Sequence, residues 1–116
     1  QEREDMGTDC TIVIEANDKY INSDFWEPIA ILHSPRCYDF FDILQSKGIP
    51  GYPEGVNWLT KEILEKYECW GEKYMSYGEY LDCLEKADIM GCKLMYPIKK
   101  SIVRSYEMRV VFRFDN

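Results

Sequence analysis

The sequence has few of the groups that enzymes use for chemistry. Its only histidine is His33, and none of its five cysteines is separated by two residues from another. A zinc site needs cysteine and histidine ligands at short, regular spacings, so none is expected. A Gly-x-Ser-x-Gly segment is also missing, and the Gly/Pro-rich stretch 48–55 lacks the Gly-Lys-Ser/Thr ending of a phosphate-binding loop. These absences favour a protein that is not an enzyme and binds no cofactor.

Long hydrophobic runs are missing as well. No apolar stretch approaches the roughly 18–20 residues that a membrane span requires. The first five residues are almost all charged and do not resemble a secretory signal. We expect Met6 to be the native start, residues 1–5 to be a remnant or a disordered extension, and residues 6–116 to form one domain. The lack of a secretory signal and the odd number of cysteines together predict reduced thiols and a cytoplasmic location.

The composition that remains is that of a folded, acidic protein. Of 116 residues, 46 % are hydrophobic and 15 % aromatic, which is enough to build a core. Aspartate and glutamate number 21 against 14 lysines and arginines, for a net charge of −7. This charge argues against nucleic acid as a partner, because affinity for phosphates comes from basic side chains. It is compatible with plain solubility and with a basic protein partner.

Three segments predict β-strands. Residues 8–15 alternate, with the apolar side chains of Cys10, Ile12 and Ile14 on one face. Residues 25–32 predict a second strand at a sheet edge or with a bulge, because Pro28 has no N–H for the ladder. Residues 107–114 alternate again and are expected to pair beside the first strand. Their apolar positions are Met108, Val110, Phe112 and Phe114.

Helical signals fill the middle of the sequence. Ser34 and Pro35 predict a helix start, and Gly48 predicts the end of that helix. A second helix is expected over 59–69, with Leu59 facing inward.

Two further helices are expected in the second half. Ser76 and Glu79 fit a capping box, which predicts a helix from there to about Lys86. A short helix over 97–103 would be a fourth. The fold class is therefore α+β. A small antiparallel or mixed sheet should include the N- and C-terminal strands and pack against three to four helices.

The polar face of the terminal strands carries the candidate site. Asp9 and Glu15 share this face of the first strand, and Arg109 lies on that of the last, so carboxylate–arginine pairs across the strands are expected. Arg36 in the first turn of a helix opposes the helix dipole, so it should pair with an acid such as Asp9 or Asp115, or hold an anionic ligand. Two interpretations stay open. One is an ordinary charged sheet face; the other is a ligand-binding pocket formed by Asp9, Glu15, Arg36, Tyr38, Asp39, Arg109 and Asp115.

Two catalytic alternatives have less support. The carboxylates could gather around Mg²⁺ or Ca²⁺, as hard cations take oxygen ligands, but their spacing matches no EF-hand. The carboxylates in question are Asp9, Glu15, Asp39 and Asp115. A nucleophilic Cys37 with His33 as its base is the one thiol–imidazole pairing close in sequence. A packed or surface histidine is favoured over it.

Four short segments carry a resemblance to a known group of proteins. They are Met6-Gly7-x-Asp9 before the first strand, Arg36-Cys37-Tyr38-Asp39-Phe40-Phe41, the segment 76–84, and the closing Arg109-Val110-Val111-Phe112-Arg113-Phe114-Asp115-Asn116. With these segments the chain resembles a group of small uncharacterised phage and prophage proteins. The resemblance implies a phage origin and a location in the cytoplasm of a host cell.

The leading functional hypothesis is a phage accessory protein that binds a host protein, for instance to inhibit host defence. Aromatic residues of the middle third, such as Tyr52 and Tyr74, could contribute to such a contact, although most aromatics should be core. The alternatives are a small-molecule or nucleotide-binding protein with a polar pocket for an anionic ligand, and a metal-dependent hydrolase. The sequence does not indicate the oligomeric state.

Overall fold

The computed structural model describes residues 9–18, 25–34, 36–66, 71–92 and 106–115. The expected helix over 97–103 lies outside these ranges. Five strands and three helices form within them. In chain order they are β1 (Asp9–Asp18), β2 (Glu27–Ser34), α1 (Tyr38–Lys47), β3 (Ile49–Pro50), α2 (Trp58–Leu64), β4 (Lys73–Ser76), α3 (Tyr77–Ile89) and β5 (Tyr106–Asp115).

The five strands form one antiparallel sheet in the order β2-β1-β5-β4-β3. β1 and β5 pair along their whole length, from Asp9 opposite Asp115 to Asp18 opposite Tyr106. The predicted pairing of the terminal strands is therefore confirmed, and so is the α+β class with a sheet packed against helices. β3 and β4 are additions, because the sequence predicted a loop at 48–55 and left 73–76 unassigned.

The proline of the second strand predicted an edge position or a bulge, and the strand has both. β2 lies at the edge of the sheet. Its register with β1 shifts between Ile14 and Glu15, where Ile14 faces Ala30 but Glu15 faces Pro28. Ile29 is thus the extra residue of a bulge. A bulge and a proline are both common at sheet edges, because they interrupt the backbone pattern that another strand would extend.

The main core lies between one face of the sheet and the helices α1 and α3. The predicted inward stripes of β1 and β5 are confirmed, and the ring of Phe41 in α1 packs edge-on to Phe114 at 5.2 Å. From α3, Tyr77, Tyr80 and Leu84 are buried as predicted. Further members of this core are Cys10, Ile12, Ile14, Phe40, Leu44, Met75, Cys83, Ala87, Val110 and Phe112.

The opposite face of the sheet is also covered. Val13 and Val111 are completely buried there against Leu64 of α2. The sequence predicted a polar outer face for β1, so the burial of this side is a correction. It arises because the short helix α2 comes from a distant part of the chain and lies across β1 and β5.

The helix boundaries differ in part from those predicted. α1 begins at Tyr38 with Cys37 as its N-cap, and Ser34 is instead the last residue of β2, paired with Cys10. Strand pairing therefore overrides the capping tendency of Ser34. The predicted end is confirmed, since the Gly48 N–H donates to the Leu44 carbonyl at 2.8 Å.

Of the other two helices, α2 begins at a different residue from the one predicted, and α3 begins where it was predicted. α2 is capped by Asn57 and is shorter than the predicted 59–69, and its Leu59 is 39 % exposed rather than inward. α3 begins as predicted, because the Ser76 hydroxyl accepts a hydrogen bond from the Glu79 N–H at 3.1 Å. It runs to Ile89, beyond the predicted end. None of the helices in the described ranges has the length and hydrophobicity needed to cross a bilayer.

The cysteines depart from the expectation of reduced thiols. Cys37 and Cys92 are joined in a disulfide, with Cα atoms 6.3 Å apart, a common separation for this bond. The prediction of unpaired cysteines is therefore wrong for these two. Cys10 and Cys83 are buried thiols. Burial raises the pKa of the Cys83 thiol to about 11, and the nearby Glu79 carboxylate acts in the same direction.

Candidate functional site

A buried ion pair occupies the centre of the α2-covered face. Glu15 and Arg109 are directly opposite each other on β1 and β5, so one carboxylate–arginine pair of the predicted kind forms across the strands. The Arg109 Nε donates to Glu15 Oε1 at 2.8 Å, and Nη2 lies 2.7 Å from the same oxygen. The Glu15 side chain is completely buried and that of Arg109 is 11 % exposed. The pair is thus shielded from solvent.

The second oxygen of Glu15 holds the start of α2. Its Oε2 accepts hydrogen bonds from the Asn57 backbone N–H at 2.9 Å and from the Thr60 hydroxyl at 2.5 Å. Asn57 in turn caps the helix by accepting from the Leu59 N–H at 2.8 Å, and its amide donates to the Trp26 carbonyl at 2.7 Å. A carboxylate at a helix N-terminus is favoured by the free N–H groups and by the helix dipole.

Arg109 makes further contacts within the protein. Its guanidinium lies 3.8 Å from the centre of the Trp26 ring, and Nη1 donates to the Glu54 carbonyl at 3.0 Å. At the other end of α2, Arg113 donates to the Leu64 carbonyl at 3.1 Å. Side chains of the sheet therefore fix both ends of α2. For Glu15 and Arg109, this arrangement is that of a structural anchor.

The remaining predicted site residues lie elsewhere. Arg36 Nε donates to Asp9 Oδ1 at 2.9 Å, which confirms the expected pairing of Arg36 with Asp9. These side chains are 42 % and 59 % exposed. Tyr38 and Asp39 are exposed in the first turn of α1, where the Tyr38 ring lies edge-on to Phe41. Asp115 contributes its backbone to the pairing of β5 with Asp9.

The structure separates the two charged pairs. Asp9 and Glu15 are six residues apart on β1, which corresponds to about 20 Å along a strand. Four of the seven predicted residues therefore form two separate ion pairs, and ligand binding by the predicted residues stays a prediction. No group of three or more potential metal ligands occurs in the described ranges. The Cys37 thiol is taken up by the disulfide, and His33 Nδ1 lies 3.4 Å from the Thr11 hydroxyl.

A cavity that the sequence did not predict lies between β2 and α2. It has a volume of about 260 Å³, and we call it the β2–α2 groove. All of its lining residues are apolar: Pro28, Ile29, Ala30, Ile31, Leu59 and Ile63. Ile29, Ile31 and Leu59 are 46 %, 49 % and 39 % exposed, and the neighbouring Trp58 is 68 % exposed. Large apolar side chains are thus concentrated around one concavity.

The groove has a faint signal in the sequence. Ala30 and Leu32 of β2 face the main core, yet the residues between and beside them, Ile29 and Ile31, are also large and apolar. An edge strand with one solvated face normally carries polar residues there. The tyrosines considered for a contact surface lie elsewhere: Tyr52 and Tyr74 pack against the core beneath α2. Burial and the nearby Glu65 carboxylate, which accepts a hydrogen bond from the Tyr52 hydroxyl at 2.8 Å, raise the pKa of Tyr52.

Comparisons with known proteins do not assign the site. No protein-family model matches the chain, and neither a curated protein nor a solved structure matches it. Function must therefore be argued from the geometry of the chain itself. Two features are available for that argument: the anchored ion pair, whose charged groups bind each other, and the β2–α2 groove, whose apolar side chains face solvent.

Proposed function

We propose that this protein binds another protein through the β2–α2 groove and that it catalyses no reaction. If the chain is a phage accessory protein, as its resemblance implies, the partner is a host protein. The single observation that carries the proposal is the grouping of exposed Ile29, Ile31 and Leu59 around an apolar cavity.

The physical argument is one of concentration and shape. Single exposed apolar residues are normal on protein surfaces and need no explanation. A concave apolar site with several large side chains around it is different, because a partner side chain placed there exchanges much of its contact with water for contact with apolar groups. Burial of apolar area yields about 25 cal/mol per Å², so even one inserted side chain contributes usefully to binding.

The alternative functions receive less support from the same geometry. A small anionic ligand needs a cationic side chain directed at it, yet Arg109 binds Glu15 and Arg36 binds Asp9. The groove itself has only apolar lining residues, which do not suit a nucleotide phosphate. A metal-dependent hydrolase would need a cluster of ligands, and the described ranges hold none. Protein binding is therefore the function we put to the test.

The test compares two matched substitutions on opposite edges of the sheet. Ile31→Thr alters the groove, whereas Ile49→Thr alters β3 at the other edge; the two isoleucines are 49 % and 50 % exposed. Threonine keeps the branched shape that strands favour, so both variants should fold. We expect the immobilised wild-type protein and Ile49→Thr to capture the same protein from bacterial lysate, and Ile31→Thr to bind it about tenfold more weakly, because an apolar contact is lost.

The affinity is then measured with the purified captured protein by isothermal titration calorimetry. Thermal unfolding of both variants checks that the fold is intact. Equal affinity of wild type and Ile31→Thr for that protein would remove the groove from its proposed role. Failure of the folded wild type to retain any protein specifically would count against the proposal as a whole.

A further inference from the structure

We infer that the Cys37–Cys92 pair is a thiol–disulfide exchange site, which a small thiol such as glutathione opens and closes in the folded protein by reacting at the Cys37 sulfur. The pair joins α1 to α3 on the main-core face of the sheet, whereas the β2–α2 groove lies on the other face. A reaction there is therefore independent of protein binding at the groove. Three features support it: the unequal exposure of the two cysteines, the backbone hydrogen bonds that hold them, and the packing that holds the two helices together.

The two cysteines differ in their access to solvent. Cys37 is partly exposed at the start of α1, whereas Cys92 is buried and only 7 % exposed. Exchange begins when a thiolate attacks one sulfur of a disulfide, so its rate depends on which sulfur can be reached. An external thiol should therefore attack Cys37 and release Cys92.

Backbone hydrogen bonds hold both cysteines independently of the bond between them. The Cys37 carbonyl accepts from the Phe41 N–H at 3.0 Å in the first turn of α1. At the end of α3, the Cys92 N–H donates to the Ala87 carbonyl at 2.9 Å, directly after Gly91 with a φ of +101°. A left-handed glycine followed by such a hydrogen bond is a common stop of a helix. The two thiols should thus stay close together after reduction, where the bond can form again.

The packing of α1 against α3 does not require the disulfide either. The Phe40 and Tyr80 rings lie 6.2 Å apart edge-on, and Leu44 and Leu84 are buried in the same core. Burial of these side chains favours the folded state whether the bond is open or closed. Reduction should therefore leave a folded protein in which the start of α1 is less firmly joined to the end of α3.

The exchange consists of two steps. A thiolate attacks the Cys37 sulfur and forms a mixed disulfide there, and the bond to Cys92 breaks. The electron pair goes to the Cys92 sulfur, which takes up a proton because burial disfavours a thiolate. A second thiolate then attacks the sulfur of the bound thiol, so that the two small thiols leave as their disulfide and Cys37 is released as a thiolate.

The start of α1 favours the released thiolate. Free N–H groups at a helix N-terminus stabilise negative charge, and a cysteine placed there is a better leaving group than one in an apolar core. The opposite charges of Arg36 and Asp39, on either side of Cys37, largely offset each other. In the complete reaction, two thiols are oxidised to one disulfide and the protein disulfide is reduced to two thiols.

The other cysteines of the described ranges are unsuited to this reaction. Cys10 and Cys83 are buried thiols, and burial raises the pKa of Cys83 to about 11. A thiol that is inaccessible and protonated reacts slowly. Within the part of the chain that the structure describes, exchange should therefore be confined to the Cys37–Cys92 pair.

The first test is whether the bond opens in the folded protein. Oxidised wild-type protein is incubated with millimolar glutathione, and free thiols are trapped with an alkylating reagent at successive times. Mass spectrometry then quantifies the peptides that contain Cys37 and Cys92 separately from the one that contains Cys69. We expect the rate of opening to be proportional to the glutathione concentration and nearly unchanged by urea below the unfolding transition, because Cys37 is already accessible. Oxidised glutathione should close the bond again.

Two results of this test would overturn the inference. One is a rate of opening that increases with urea in parallel with the unfolded fraction, since the bond would then react only after unfolding. The other is a bond that stays closed in the folded protein at every glutathione concentration. Either result would leave a disulfide with a structural role alone.

The second test identifies the reacting sulfur with a matched pair of variants. Cys92→Ser and Cys37→Ser each keep one cysteine of the pair. With oxidised glutathione, we expect the adduct to form on Cys37 at least about tenfold faster than on Cys92, because only Cys37 is accessible. Circular dichroism checks that each variant is folded. Equal rates would overturn Cys37 as the reacting sulfur. If a variant does not fold, the mixed disulfide trapped on wild type decides, and an adduct on Cys92 instead of Cys37 would have the same meaning.

Discussion

Glu15 illustrates how a charge is accommodated inside a small fold. Moving a carboxylate from water into a protein interior is unfavourable by several kcal/mol unless opposite charge and hydrogen bonds replace the water. Here Oε1 faces the Arg109 guanidinium, and Oε2 accepts from Asn57 and Thr60. Because both oxygens have donors from different parts of the chain, the residue ties β1, β5 and α2 together.

We predict that Glu15→Gln destabilises the protein strongly. The substitution leaves the largely buried Arg109 guanidinium without its counter-charge, which should reduce the free energy of unfolding by about 3 kcal/mol. Asp9→Asn is the matched control, since the Asp9–Arg36 pair is largely exposed and should contribute less than about 1 kcal/mol. Urea denaturation of the two variants and wild type provides the measurement. Similar losses for both variants would show that burial does not govern the contribution of these pairs.

At the end of α1, the backbone of Gly48 passes very close to side chains of the sheet. Gly48 follows the helix at an ordinary φ of −69°, so no left-handed conformation requires glycine there. A Cβ at this position would lie 2.8 Å from the Phe112 Cζ and 3.0 Å from the Lys73 Cβ. Because glycine has no Cβ, the backbone after α1 can pack directly against β4 and β5.

Replacing Gly48 and replacing Gly78 by alanine should therefore change the free energy of unfolding in opposite directions. Gly48→Ala forces Phe112 or the backbone to move, and we expect it to lower the free energy of unfolding by about 1–3 kcal/mol. Gly78→Ala in the first turn of α3 meets no atom closer than 4.0 Å and should raise it by up to about 1 kcal/mol, since alanine favours a helix over glycine. The midpoints of urea unfolding test both. A neutral Gly48→Ala would mean that the contact with Phe112 relaxes freely.

At the scale of the whole molecule, a disulfide joins the two helices that cover the main core. Cys37 caps the start of α1, and Cys92 follows the end of α3. The bond closes a loop with a sequence separation of 55 residues. Such a closure restricts the unfolded chain, and in the chain-entropy account it stabilises the fold by about 4 kcal/mol.

We expect reduction to weaken the whole fold. In oxidising buffer, Cys92→Ser should lower the free energy of unfolding by roughly 2–4 kcal/mol, and dithiothreitol should bring wild type to a similar value. Dithiothreitol should leave the stability of Cys92→Ser unchanged, which controls for effects on other thiols. Unfolding curves with and without reductant give the comparison. A wild-type protein that is indifferent to reductant would contradict a stabilising role for this bond.

Local patterns in the sequence were sufficient for several elements. The alternation of apolar residues in β1 and β5 predicted their inward faces, and Ser76 with Glu79 predicted the start of α3. Pro28 predicted an edge strand or a bulge, and both occur. The helix start predicted at Ser34 was wrong, because the pairing of Ser34 with Cys10 keeps it in β2. Such signals succeed when a few neighbouring residues decide the conformation and fail when a distant strand competes.

The sequence by itself determined the α+β class and the faces of the terminal strands on which Glu15 and Arg109 lie, because strand periodicity places residues on faces independently of the rest of the chain. It also predicted that these strands are neighbours, whereas their register, which sets Glu15 directly opposite Arg109, was decided by the tertiary structure. Only the tertiary structure decided that α2 buries this pair, that the β2–α2 groove exists, and that Cys37 meets Cys92. Each of these depends on contacts between distant residues, such as Glu15 and Asn57, which are 42 positions apart. A local sequence pattern does not specify which distant segment of the chain packs over it.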